Sequence, residues 1–291
     1  MPTRIAILVL AGFLAIPANA QEKTYTIKLR GEEQGDRIKV TKSFSSTVIK
    51  TTTVKNETTV KEEITDEKLV YIEEFLQRPA NAKHPTKLTR AYEISSSNQS
   101  GVKKTSRYVG KTVVIEMKGD NYVFTVDGKE LSEEDAEDID SDFNERVETL
   151  ADELLLPKKP VKVNESWNVD LAKFIDEFEM ETGIAVDLAK SKLTGKLSKA
   201  YMKDGHQFGV LEFAFDFKMK SNNADKEVAL VKPGAKLVYA IVRDVCIDGT
   251  ARAGKESLGW KLEMVSEGTG GTDAVKLDVK GVTTWEPVEK K

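Results

Sequence analysis

Apolar and polar residues alternate with a period of two over most of the first half of the chain, from Tyr25 to Val126. Successive side chains of a β-strand point to opposite faces, so this period predicts strands with one buried face. The Thr-rich run STVIKTTTVKNETTV favours extended backbone, because β-branched side chains are restricted in a helix. The steps Gly119-Asp120 and Asp127-Gly128 separate alternating runs and predict hairpin turns.

The segment KLVYIEEFL, residues 68–76, is ambiguous, because its apolar residues also fit one face of a helix. Predicted strands flank this segment, and Pro79 and Pro85 follow it. Because predicted strands flank the segment and proline disfavours the continuation of a helix or a central strand, we interpret the segment as a strand that ends before Pro79.

The period of two returns after Lys192 and continues close to the end of the chain. The clearest strand places large apolar residues on one face: Leu211, Phe213, Phe215, Phe217 and Met219. Segments 237–247, 260–265 and 275–285 repeat the pattern, with Gly-rich turns such as GTGGT between them. Hairpin-length links cannot connect parallel neighbours, so the sheet is predicted to be antiparallel.

Two amphipathic helices are predicted between the β-rich halves. In residues 132–156 the apolar positions recur at helical spacing, and they are Ala136, Ile139, Phe143, Val147, Leu150 and Leu154. Ser132 followed by Asp135 resembles a capping box. A second helix is predicted over 170–182, with Asp170 as N-cap and Gly183 as the stop.

We therefore expect a mainly β fold of the α+β class. It would be one large twisted, curled antiparallel sheet or half-barrel with the two amphipathic helices packed on it. Residues 21–291 would form a single β-rich domain. Its two halves, at about 22–130 and 191–287, would be joined by the helical segment 132–182.

The acidic segment around Asp138, Asp140 and Asp142 matches the first three ligand positions of an EF-hand loop. The loop should continue with Gly at position six and Glu at position twelve, where Phe143 and Thr149 stand. The apolar stripe also passes through the three aspartates, and on a helix Asp140 would lie about 200° around the axis from Asp138. We therefore reject a metal site here.

The first twenty residues predict a secretory signal peptide, with Arg4, an apolar run and the sequence Ala18-Asn19-Ala20 before the cleavage point. The apolar run is shorter than the roughly 20 residues of a membrane span, so no transmembrane anchor is expected. The mature protein would be soluble in the periplasm or secreted. A net charge of -4 argues against a nucleic-acid partner.

Catalytic motifs are scarce. Cys246 is the single cysteine, which rules out an intrachain disulfide, and the two histidines are His84 and His206. One cysteine and two distant histidines do not by themselves make a metal site, and no motif indicates a cofactor. We expect Cys246 to be a buried, inert thiol on a strand face shared with Val238 and Val242. A pair of carboxylates for glycoside hydrolysis is also possible, because a sequence does not show the distance between two carboxyl groups.

Trp167, Trp260 and Trp285 are candidates for lining a ligand groove, although three tryptophans in a protein of this size are more often core residues. Trp167 lies where the helical segment meets the second β-rich half, and with Phe143 and Val147 it is the candidate ligand site. The stretches LLLPKKPVKVNESWNVD, GKTVVIEMKGDNYVFTVDG and SKLTGKLSKAYMKDGHQFGVLEF resemble a group of uncharacterised exported bacterial β-rich proteins of unknown function. Those proteins more often have Gly and Asp where Asn164 and Glu165 stand. The resemblance implies a fold and a compartment, and no catalytic residue.

Three functions follow as hypotheses. The leading one is a non-enzymatic exported protein that binds an apolar or amphipathic ligand between sheet and helix, in weak analogy to the fold of periplasmic lipoprotein carriers. The alternative is a structural or interaction module of the cell envelope with a protein partner. The third is a hydrolase that uses paired carboxylates.

Overall fold

The computed structural model describes residues 23–80, 82, 84–144, 152–172, 175, 186–219, 230–231, 235–268 and 271–289. The strands of the first half are β1 (Thr24–Tyr25), β2 (Arg37–Val54), β3 (Glu57–Gln77), β4 (Lys87–Gln99), β5 (Val102–Thr105), β6 (Thr112–Lys118), β7 (Asn121–Val126) and β8 (Lys129–Glu130). Two helical elements follow, α1 (Glu133–Phe143) and the single turn α2 (Asp152–Leu155). The remaining strands are β9 (Val161–Lys162), β10 (Ser166–Asn168), β11 (Lys192–Lys203), β12 (His206–Lys218), β13 (Leu230–Val231), β14 (Lys236–Cys246), β15 (Gly254–Gly268) and β16 (Gly271–Pro287). The expected signal peptide, residues 1–20, lies outside the described residues.

One open antiparallel sheet contains nearly all of these strands, which confirms the predicted mainly β fold. Its neighbours run in the order β10-β11-β12-β14-β15-β16-β2-β3-β4-β6-β7-β8, with β13 added to β15 and β5 added to β4. The first and last long strands of the chain, β2 and β16, pair at the middle of this order. A separate two-stranded sheet joins β1 to β9.

One face of the sheet, called the inner face here, carries the buried side chains of both halves. The first core consists mainly of residues from β11, β12 and β14, with Phe213, Phe215 and Phe217 each 1% exposed. The second core contains residues of β2, β3, β4, β6, β7 and α1. In it Phe75, Leu88 and Ile115 are at most 1% exposed. Trp285 packs against both cores.

The predicted strand at residues 68–76 is confirmed, since it forms part of β3. The aromatic strand is also confirmed, because the odd-numbered residues from Leu211 to Phe217 of β12 face the first core. In both segments a neighbouring strand on each side provides backbone hydrogen bonds. This pairing favours the strand over a helix where the apolar spacing fits both.

The helical prediction is only partly correct. Ser132 caps α1 by accepting a hydrogen bond from the Asp135 amide at 3.2 Å, and Ala136 and Ile139 are buried as expected. The described element ends at Phe143, and the side chain of the next residue, Asn144, pairs with the backbone of Tyr122. Residues 145–151 of the predicted helix over 132–156 lie outside the described residues, so the structure describes only α1 and α2 within that range.

The second predicted helix, over residues 170–182, falls largely outside the described residues. Leu171 and Ile175 are described and pack against the first core. No helix in the described parts of the chain has the length and apolar composition needed to cross a membrane.

Candidate functional site

A strip of half-buried apolar side chains lies on the inner face between the two cores. We call it the inner strip, and its members are Phe44, Val48, Leu258, Trp260, Leu277 and Trp285. The sheet register places all but Trp285 in three successive inner-face rows of β15, β16 and β2. Trp285 lies beyond the next row, which contains Glu256, Thr283 and Lys42. Large apolar side chains that stay partly exposed in neighbouring rows form a continuous surface able to hold an apolar molecule.

Gly281 allows this strip to be continuous. It lies between Leu258 and Phe44 in one row of the sheet, and it is the cross-strand partner of both. A Cβ at Gly281 would stand 3.0 Å from Leu258 Cγ. The missing side chain therefore lets Leu258 lie across β16 toward Phe44.

Charged pairs flank the three successive rows of the inner strip. On one side Arg243 donates to Glu256 across β14 and β15, in the row that separates Leu258 from Trp285, and each side chain is 16% exposed. On the other side Lys50 lies 3.1 Å from Asp273. Hydrogen bonds from Thr52 and from Lys50 hold the pKa of Asp273 below its ordinary value, so this carboxylate is charged at neutral pH. The three successive rows therefore form an apolar middle with a charged pair on either side, and Trp285 lies beyond the Arg243–Glu256 pair.

Trp167 lies in the first core, opposite Gly195 on β11. Its indole Nε1 donates to the Leu155 carbonyl at 2.8 Å, and its ring meets Phe213 edge to face at a centroid distance of 6.1 Å. These contacts tie α2 to the sheet. They give Trp167 a packing role in the first core.

Phe143 lies in the second core, away from the cluster that contains Trp167. Its ring meets Tyr122 at 5.0 Å and Phe124 at 6.0 Å. The Arg90 guanidinium stacks on the same ring at 4.6 Å. Val147, the third predicted ligand residue, lies outside the described residues. The two that are described belong to different cores.

A buried ion pair on the inner face escaped the sequence analysis. Arg90 Nε donates to Glu73 at 2.8 Å, with side chains 8% and 6% exposed. The pair stands directly across β3 and β4, and the Tyr71 ring covers the guanidinium at 4.5 Å. Burial raises the pKa of the adjacent Tyr92 far above its ordinary value. Alternation of residue types marks Glu73 and Arg90 as inner-face positions, but pairing could not be read from a single sequence.

The described acidic residues with a displaced pKa do not have the raised pKa that a catalytic acid requires. Asp140 accepts a hydrogen bond from Asn144 at 2.6 Å, while the side chains of Asp138 and Asp142 lie outside the described set. Among the described residues, each carboxyl group with a displaced pKa has it lowered, as for Glu116 beside Lys87. A general acid needs a raised pKa, so these groups do not suit that role.

His206 and Cys246 come together on the outer face, the side of the sheet opposite the cores. Val238 and Val242, which share the Cys246 face, are 38% and 41% exposed, yet Cys246 itself is 2% exposed. The loop after β14 folds back and covers the thiol. The expectation of a buried thiol is confirmed, but a loop buries it and the strand face does not.

Asp248 is the centre of this second cluster. It accepts hydrogen bonds from the Thr250 hydroxyl, from the Gln207 amide at 2.7 Å and from Cys246 Sγ at 3.0 Å. These bonds hold the pKa of Asp248 far below its ordinary value. His206 Nδ1 lies 2.7 Å from the same Thr250 hydroxyl. Only the spacing Cys-Ile-Asp-Gly-Thr hinted at such a cluster in the sequence.

A shallow groove of about 380 Å³ opens beside residues 31–34 and 78–80. Its lining is mostly polar, and Arg78 donates to the Glu32 carbonyl within it. The groove lies in the loop before β2 and the end of β3, and it does not include the predicted ligand residues.

Comparisons with known proteins do not identify the chain. No family model matches it, and no curated protein matches it. One solved structure, an outer membrane channel from Pseudomonas putida F1, aligns over 89% of this chain and 98% of its own, with 7% identity and a TM-score of 0.22. A TM-score that low does not indicate a shared fold. The resemblance to uncharacterised exported proteins stays a prediction.

Proposed function

We propose that this protein is an exported, non-enzymatic binding protein that holds an amphipathic ligand along the inner strip. The observation that carries the proposal is the row of half-buried apolar side chains between two filled cores. The proposed ligand site is the inner strip and not the expected interface between helix and sheet. The interface of α1 with the sheet is occupied by the protein's own side chains, since Ile139 is 1% exposed.

The chemistry of the strip favours an acyl chain or similar apolar body with a charged head group. Phe44, Trp260 and Trp285 offer flat apolar surface, which gives much contact area at low conformational cost. The Arg243–Glu256 and Lys50–Asp273 pairs supply charges on either side of the three successive apolar rows. Small-ligand sites commonly combine an apolar lining with a few such polar groups.

The decisive experiment compares two neighbouring positions on β2. Val48 lies on the inner strip, whereas Ile49 is also half-buried but points to the outer face. We expect Val48→Lys to weaken binding of a fluorescent lysophospholipid at least about tenfold, the effect of losing about 1.4 kcal/mol. The matched Ile49→Lys variant should bind as the unaltered protein does. Equal affinities of all three proteins, or no binding by any, would refute the proposal.

A second function, an interaction module of the cell envelope, is favoured by a different observation. The outer face exposes apolar residues near the far end of the long strands, with Val60 62%, Ile64 44% and Val265 36% exposed. Val60 and Val265 lie at opposite ends of one outer-face row, with Thr51 and Ala274 between them. Several exposed apolar residues on one face are a feature of contact surfaces. A photo-crosslinking residue at Val60 should trap one defined envelope protein, while the same residue at the solvent-facing Lys55 should not. Equal labelling at both positions would remove this alternative.

A further inference from the structure

The outer-face cluster around Cys246 brings together three kinds of metal ligand from two strands and a loop. His206 begins β12, Cys246 ends β14, and Asp248 follows two residues later. The β12–β14 pairing aligns Phe208 with Cys246. It continues past the strand end, because the Ile247 amide donates to the Gln207 carbonyl at 2.8 Å. This register fixes where the histidine and the carboxylate meet.

One atom from each of the three side chains lies within 4.8 Å of the others. The Cys246 Sγ and Asp248 Oδ1 atoms are 3.0 Å apart. Donors around a tetrahedral zinc, at bond lengths of about 2.0 to 2.3 Å, stand about 3.3 to 3.7 Å from one another. A side-chain movement on the order of 1 Å would therefore place a thiolate, an imidazole and a carboxylate around one ion.

The backbone that carries these donors is held from both sides. The Lys28 amide donates to the Ile247 carbonyl at 2.8 Å, and Thr250 donates its amide to Asp248 at 2.9 Å. Gly249 adopts a positive φ of 76°, which lets the loop turn beside Lys28. A loop fixed in this way presents its donors with little further loss of conformational entropy.

We propose that His206, Cys246 and Asp248 bind a divalent transition-metal ion of the zinc class. The soft thiolate and the imidazole select such an ion over calcium or magnesium, which prefer oxygen donors. The Thr250 hydroxyl, which contacts all three ligand residues, either orients them or takes the fourth position. This site is separate from the inner strip and does not depend on its function.

Metal binding requires the Cys246 thiol to lose its proton. In the metal-free cluster the Cys246 S–H donates to Asp248. Coordination replaces the S–H bond with a bond from the sulfur to the metal, and the displaced proton passes to solvent. Neither oxidation nor reduction occurs, so the ion alone is sufficient. Binding should release about one proton for each ion bound.

Cobalt titration tests the proposal, since Co²⁺ occupies zinc sites and a thiolate ligand gives it a charge-transfer band in the near ultraviolet. The full chain is treated with chelator and titrated with Co²⁺, then with Zn²⁺ in competition. We expect the band to saturate at one ion per chain and Zn²⁺ to remove it. Cys246→Ser should abolish the band, and His206→Gln should weaken Co²⁺ binding about 100-fold or more.

The control is His84→Gln, which changes the other histidine and leaves the cluster intact. It should bind Co²⁺ with the affinity of the unaltered protein. Because Cys246 is buried, circular dichroism must show that Cys246→Ser still folds, and His206→Gln provides an independent reading if it does not. The proposal is overturned if the folded, unaltered protein gives no charge-transfer band, or if His206→Gln binds as tightly as His84→Gln. Either result would leave the cluster as a hydrogen-bond network only.

Discussion

Replacing Gly195 by alanine tests whether the Trp167 indole is clamped between the sheet and α2. A Cβ at position 195 would lie 2.3 Å from Trp167 Cε2 and 2.5 Å from its Nε1. Such distances are far inside van der Waals contact, so the ring must move. The movement would disturb both the hydrogen bond from Nε1 to the Leu155 carbonyl and the edge-to-face contact with Phe213.

Three contributions set the size of the effect. Overpacking of a filled core costs about 1 to 3 kcal/mol. Loss of the indole hydrogen bond adds about 1 kcal/mol. The reduced freedom of alanine in the unfolded chain returns about 0.5 kcal/mol. We therefore expect Gly195→Ala to lower the free energy of unfolding by about 1.5 to 3.5 kcal/mol.

Urea unfolding followed by circular dichroism measures this change, and tryptophan emission reports whether the indole has moved. Gly259→Ala is the matched control, because a Cβ there would stand 3.7 Å from the nearest atom, the Val279 carbonyl oxygen. That variant should be as stable as the unaltered protein or slightly more stable. In a Trp167→Leu background, Gly195→Ala should cost much less. A Gly195→Ala protein within about 0.5 kcal/mol of the unaltered one would refute the packing argument.

Three further predictions concern other parts of the molecule. Glu73→Leu leaves the buried Arg90 without its carboxylate and should cost about 3 to 5 kcal/mol in urea unfolding. Adding Arg90→Met should restore most of that stability, and a double variant no more stable than the single one would contradict us. Burial and the nearby Glu256 raise the pKa of Tyr239 to about 12, so stability should be intact below pH 10 and fall toward pH 12. Thermal unfolding across this range should show a smaller decline for Tyr239→Phe, and an equal decline would count against the assignment. Ser132→Ala removes the N-cap of α1 and should lower stability by about 1 kcal/mol, whereas Ser132→Asp should not.

The strands were predictable where their inner faces are mostly apolar. In β12 every second residue from Leu211 to Phe217 meets the first core, and a period of two leaves little alternative for such a segment. Ser132 and the inward positions of α1 were predictable from the capping residue and from the helical spacing of the apolar residues. Both signals lie within the segment that forms the helix.

Features that depend on distant pairing could not be read in this way. The side chain of Asn144, next to the last residue of α1, pairs with the backbone of Tyr122 in β7. The meeting of His206 with Asp248 depends on the register of β12 against β14. The inner strip depends on the pairing of β16 with β2. A single sequence fixes neither register nor neighbour for strands so far apart.

The pairing of β2 with β16 also has a kinetic consequence. Thr52 and Asp273 form a hydrogen bond across these strands although 221 positions separate them. Until β16 has been synthesised, one edge of β2 has no partner, and an unpaired edge is prone to join another chain. Contacts this distant in sequence close late and slow the search for the native state. Folding should therefore be slow and sensitive to protein concentration, and a holding chaperone that shields the waiting edge should raise the yield.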